Sequence, residues 1–175
     1  MSARAAIRRI HRRGDGRGQG LVEFALVIPM FLLMLFGVVD MGRVIWAFDS
    51  LSNAAREGAR YASVHGAADV TICPTGPNLG ATPATGCPTW TPDSKEPTRI
   101  QTRSFLVAPG SSVTVYVCYY TTTHCSLNAD EANATNGRGE FVTVTVTSRV
   151  DLITGSLLGH SGFNISGSST VIVNN

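Results

Sequence analysis

Polar and apolar positions alternate in different ways along this chain, and the sharpest feature is a run in which they do not alternate at all. From Phe24 to Val39 there are sixteen residues without a charge, and Leu21 and Val22 with the intervening Glu23 bring the segment to nineteen. At ~1.5 Å of rise per residue that length crosses a hydrocarbon core of ~30 Å. A soluble core helix shows an apolar stripe with a polar back, whereas this segment is apolar on every side, so it predicts a single membrane span. From Leu51 to Val64 no proline intervenes, and Ala54, Gly58 and Ala62 recur at four-residue spacing with Ala55 and Ala59 as a second small row. Such rows allow another backbone to approach closely; plain alanine helix propensity explains them as well. A helix over 21–65 follows, roughly 65 Å long, with His65-Gly66 suited to end it.

After a Gly-, Pro-, Thr- and Ser-rich stretch over 66–98, the pattern changes to a period of two. Val113, Val115, Val117 and Tyr119 share one face of a predicted strand, and Val142, Val144 and Val146 alternate with Thr143, Thr145 and Thr147 in a second. Ser168–Val173 reads as a third. Arg99–Val107 fits a helix or a strand, and Leu152–Gly159 a short apolar helical turn with a glycine stop. A sheet of three or four antiparallel strands with one polar face needs cover on the other. The outer half of the N-terminal helix is the long element available for that. The expected fold class is α+β, with a long N-terminal helix packed by its second half on a small antiparallel sheet.

Charge refines the picture. Residues 1–18 hold six arginines against Asp15, and without them the formal charge falls from +2 to −3. Beside a span, a basic segment marks the cytoplasmic side, which places the C-terminal part outside. The basic balance is therefore a topological signal, and no nucleic-acid partner is implied. The predicted organisation is a basic leader over 1–18, a transmembrane and spine helix over 19–65, and an extracytoplasmic β-rich domain over 66–175.

Glu23 is a carboxylate at the start of the apolar run. An ionisable group there costs at least a few kcal/mol unless neutralised or paired, which makes it a functional candidate. It stands five residues after Gly18 and directly before Phe24. Gly18, four residues, Glu23 and then an aromatic residue resemble the type IV prepilin site, in which cleavage after the glycine would make Gln19 the first residue. A glycine permits extended backbone to enter a protease cleft without steric cost. In a helical bundle the new α-amino group at Gln19 of a neighbouring subunit would pair with Glu23 and set the axial register; cyclisation of Gln19 would remove that amine. Alternatively Glu23 snorkels or takes up a proton. Pro29 deletes one backbone donor inside the span and is expected to kink or loosen the helix there. Asp40 and Arg43 stand three apart, share a helix face and can neutralise each other at the outer interface, where Trp46 is a plausible anchor.

The stretch Gly-Gln-Gly-Leu-Val-Glu-Phe-Ala-Leu-Val-Ile-Pro, followed by Phe-Gly-Val-Val-Asp-Met-Gly-Arg and by Asn-Ala-Ala-Arg-Glu-Gly-Ala-Arg-Tyr-Ala-Ser, closely resembles the TadE-like family over residues 18–65. The resemblance implies a pseudopilin or minor pilin of a tight-adherence (Tad) pilus. Its implied partners are other pilin subunits, a prepilin peptidase, the inner-membrane assembly platform and the lipid bilayer.

Four cysteines on the oxidising side of a membrane read as two disulfides. Three connectivities are open, of which the sequential pairing, Cys73 with Cys87 and Cys118 with Cys125, is preferred. His124 beside Cys125 is a poor zinc signature, and no metal or other cofactor is expected. Histidines 11, 65, 124 and 160 are scattered. No H-E-x-x-H, G-x-S-x-G or P-loop occurs, so the chain does not read as an enzyme. The alternative to a pseudopilin is an uncleaved signal-anchored protein whose outer domain binds a ligand.

Overall fold

The computed structural model describes residues 16–65, 75–76, 95–106, 112–122, 130, 134, 136–159 and 162–174. Most of the basic leader, most of the 66–94 stretch, and Cys73, Cys87, His124 and Cys125 lie outside the described residues. The elements are α1 (Gly16–Val64), α2 (Glu96–Ser104), β1 (Val113–Tyr120), β2 (Phe141–Val150), α3 (Ile153–Leu158) and β3 (Phe163–Ile172). This is the expected α+β architecture, a long N-terminal helix on a three-stranded antiparallel sheet of order β1-β2-β3.

Helix α1 is 49 residues long and continuous through Pro29, or about 73 Å at ~1.5 Å per residue. Its two halves differ in what they touch. Every residue from Gly18 to Val39 is exposed or, at Ile28 alone, half-buried. From Ala47 onward one side of the helix is covered, with Leu51, Ala54, Ala55, Ala59 and Ala62 buried. The helix ends at Val64, with His65 N–H still donating to the Tyr61 carbonyl (3.0 Å).

The alternation along the strands supplies the opposite wall of the core. Val117 pairs with Val144, Tyr119 with Val142 and Val115 with Val146, and all six are buried. With Leu51, Ala55, Ala59, Ala62 and Val173 they form one cluster. Full burial of a side chain such as Leu51 contributes about 1.5–3 kcal/mol. The small residues of α1 are what let the sheet come near. At Gly167 of β3 an added Cβ would stand 2.7 Å from Ser52 N and 2.9 Å from the Leu51 carbonyl carbon. The Asn174 N–H reaches the Ser63 carbonyl at 3.3 Å, so β3 runs alongside α1 in the same direction, away from the apolar end.

Two elements depart from the sequence reading. The ambiguous 99–107 segment is helical and begins earlier, at Glu96, because Pro97 in its first turn needs no hydrogen-bond donor there. Strand β3 begins at Phe163, five residues before the expected Ser168, since β2 is long enough to pair with it as far as Val150. Within the row Ala54, Gly58, Ala62, Gly58 lies against Thr102 of α2, well inside the contact distance for any added Cβ. A buried polar seam completes this side. Thr75 Oγ1 is 2.8 Å from Thr98 Oγ1, and Thr102 Oγ1 donates to the Thr98 carbonyl at 2.6 Å.

Candidate assembly site and membrane-boundary junction

The N-terminal candidate residues all sit on the bare half of α1. Gly18, Gln19, Glu23 and Phe24 are exposed, and Gln19 Nε2 lies 3.5 Å from Glu23 Oε1, one turn further on. No group from the sheet domain reaches Glu23 within the described residues; it is exposed on the helix surface. The backbone at Gly18 is not extended. The helix already begins at Gly16, so a protease that reads extended chain must first open this turn. The opening is local, because the first N–H groups of a helix have no partner within it.

The other candidate pair, Asp40 and Arg43, marks the end of the apolar segment, and here the fold adds what the pattern did not show. Their side chains approach at 3.6 Å (Asp40 Oδ1 to Arg43 Nη1), but the main partners of Asp40 come from far along the chain. Its Oδ1 accepts the Ile153 N–H at 3.0 Å. Its Oδ2 accepts the Thr154 N–H at 2.8 Å and the Thr154 hydroxyl at 2.6 Å. The first N–H groups of any helix lack intrahelical acceptors, and a side-chain oxygen usually supplies one. Helix α3 has Leu152 at its cap position, which offers none. Asp40 supplies the missing acceptors from another helix, so α3 is capped in trans by the spine. Arg43 extends the junction by donating to the Asp151 carbonyl at 3.3 Å, and Arg149 Nε pairs with Asp151 Oδ1 at 3.1 Å. Gly159, at φ 79°, closes α3 at its other end in the left-handed conformation that glycine accepts readily.

Sequence reasoning found Asp40 and Arg43 but missed Ile153, Thr154 and Asp151. One signal was available: a short apolar helical turn without a Ser, Thr, Asp or Asn directly before it is short of an acceptor, and the acceptor must come from elsewhere. Of the cysteines, Cys118 on β1 is disulfide-bonded. The other three lie outside the described residues, so the sequential pairing stays a proposal. At the far end of the spine an open cleft of about 280 Å³ is lined by Glu57, Arg60, Tyr61, Val64, His65, Gln101 and Phe105. The His65 ring stacks on Tyr61 at 4.0 Å and its Nδ1 contacts the Tyr61 carbonyl at the helix end. Among the described residues no three metal-ligating side chains cluster.

Helix α1 is also where the chain resembles known proteins. Residues 18–60 match the TadE-like protein family. The match covers roughly a quarter of the chain and stops within the spine, before α2 and the sheet. Neither a curated protein nor a solved structure matches the chain. The TadE-like segment takes in Gly18, Glu23, Pro29, Asp40, Arg43, Ala54 and Gly58. It points to a pilus-related role, and its helix is a candidate membrane span with a mean hydropathy of 2.5 in its most apolar window.

Proposed function

We propose that the chain is a pseudopilin or minor pilin of a Tad-type pilus, cleaved by a prepilin peptidase after Gly18. The observation that carries this reading is the coincidence of the TadE-like match with a helix that is wholly uncovered in its apolar half, none of that window being buried. A helix with no partner in its own chain satisfies its apolar surface in a bilayer before assembly and against other subunits after it. In this reading residues 1–18 remain cytoplasmic until they are removed. The sheet domain lies outside the membrane, and Glu23 meets the α-amino group of Gln19 from a neighbouring subunit. The assembly platform in the inner membrane inserts or extracts the subunit along α1, and Ala54, Gly58 and Ala62 keep the spine closely packed within the outer domain. Disulfides Cys73–Cys87 and Cys118–Cys125 staple that domain.

The second reading, an uncleaved signal-anchored protein with a ligand-binding outer domain, draws on the helical backbone at Gly18. Mass spectrometry of the N-terminal peptide from native membranes or from a sheared surface fraction separates the two. A mature start at Gln19 is expected, and Gly18→Val is expected to abolish it and leave the leader attached. A wild-type chain that keeps its leader in a host with an active prepilin peptidase refutes the pseudopilin reading.

A further inference from the structure

The apolar surface of α1 does not end where its uncharged run ends. Met41, Ile45, Trp46 and Phe48 are 50–66% exposed, so the uncovered apolar strip runs about 13 Å past Val39 at ~1.5 Å per residue. The outer domain starts below that height. Asp40 holds the first turn of α3, which fixes Ile153 at the level where the uncharged run stops. An independent measure agrees. Gly167 packs against Leu51 and Ser52, and four strand residues back toward Phe163 cover about 13 Å at ~3.3 Å each. Along α1 that is the level of about Gly42.

Two apolar side chains project from this base. Ile153 is 46% exposed and Phe163 is 43% exposed. By register Phe163 pairs with Val150 on the helix-facing side of the sheet, just past the core row that ends at Ile165. Among the described residues the charges at the same level are matched within the molecule: Arg43 with Asp40 and the Asp151 carbonyl, and Arg149 with Asp151. A surface that presents apolar tips, internally paired charges and an adjacent interfacial tryptophan is suited to the boundary between lipid headgroups and acyl chains.

We propose that the base of the outer domain, formed by α3 and the start of β3, is a second membrane-contact site that rests on the bilayer beside the span. Ile153 and Phe163 enter the headgroup–acyl boundary, and the Asp40 junction holds the domain at that height. The occupant is the lipid surface because the base is continuous with the apolar strip of α1 that leads into it. The inference rests on the reading of α1 as a bilayer span.

The test uses the full chain with Trp46→Phe and Trp90→Phe, inserted one copy per nanodisc of phosphatidylcholine and phosphatidylglycerol, with a single tryptophan restored by Ile153→Trp, Phe163→Trp, Phe31→Trp or Phe105→Trp. Lipids brominated near the headgroup or near the chain terminus quench by depth. The Ile153→Trp and Phe163→Trp probes are expected to be quenched more by the shallow label than by the deep one. The Phe31→Trp probe should show the reverse, and Phe105→Trp, far from the base, should respond to iodide in solution only. Cooperative melting of each variant establishes that it is folded, and the two base positions serve as independent readings. If both base probes behave like Phe105→Trp while Phe31→Trp is quenched by lipid, the domain stands clear of the membrane and the proposal is overturned. If Phe31→Trp is not quenched either, the span itself is wrong and the proposal falls with it. Single occupancy of the discs keeps a second copy of the chain from producing the lipid signal.

Discussion

Replacing Gly167 by alanine tests the central packing relation of the fold, the contact of β3 with the spine. The new methyl group would stand 2.7 Å from Ser52 N and 2.9 Å from both the Leu51 carbonyl carbon and Ser52 Cα. All three are backbone atoms of a regular helix, so no rotamer change relieves the clash. The helix must withdraw by roughly 0.5–1 Å, and a gap of that size forfeits a quarter to a half of the dispersion contact of the groups on either side. Those groups are Leu51, Ala55 and Ala59 against the inner valines of the sheet. Overpacking of this kind costs about 1–3 kcal/mol, and a rigid neighbour places Gly167→Ala in the upper half of the range. In a protein of this size that lowers the melting midpoint by about 5–10 °C.

Gly58→Ala meets the Thr102 side chain instead. That side chain can shift, but only by giving up its hydrogen bond to the Thr98 carbonyl. A smaller loss of about 1–2 kcal/mol is expected, with Gly58→Ala and Thr102→Ala less than additive because they share the contact. Gly42→Ala meets nothing within 4 Å and is expected to leave the midpoint unchanged or to raise it. The assay is thermal melting of the full chain in detergent micelles, followed by near-ultraviolet circular dichroism, which reports the packed aromatic residues. A Gly167→Ala midpoint at or above the wild-type value would refute the placement of β3 on α1.

Two further outcomes follow from the junction and from the cysteines. Asp40→Ala removes the acceptor of two backbone N–H groups and of the Thr154 hydroxyl. Amide exchange in the first turn of α3 should accelerate on the order of tenfold while β2 keeps its protection; unchanged exchange at Ile153 and Thr154 would contradict capping in trans. Non-reducing peptide mapping is expected to link Cys118 to Cys125. Replacing Cys118 and Cys125 together by serine removes that link alone and should destabilise the sheet domain by about 2–3 kcal/mol on loop-closure entropy, and a Cys118 link to Cys73 or Cys87 would refute the sequential pairing.

Residues 18–64 declare most of their structure without help from the rest of the chain. Sixteen uncharged residues in succession specify a helix that no small domain covers, because length and all-round apolarity are local properties of the segment. The TadE-like match falls on the same stretch, over residues 18–60. Strand β2 was also written in the alternation of valine with threonine, as each of its buried valines has an outward neighbour.

What the tertiary structure decided is which of these local features meet. Asp40 and Arg43, three residues apart, look like a self-sufficient ion pair. Only the folded chain brings Ile153 and Thr154, more than a hundred positions away, to the same carboxylate. The small row of α1 reads equally as helix propensity or as close packing. In the fold Thr102 lies against Gly58, and Gly167 of β3 against Leu51 and Ser52. The reason in each case is that a hydrogen-bond acceptor or an empty space in the sequence carries no address. It is a local deficit or surplus, and its partner is settled by the register of β2 with β3 and by the line along which the sheet lies on the spine.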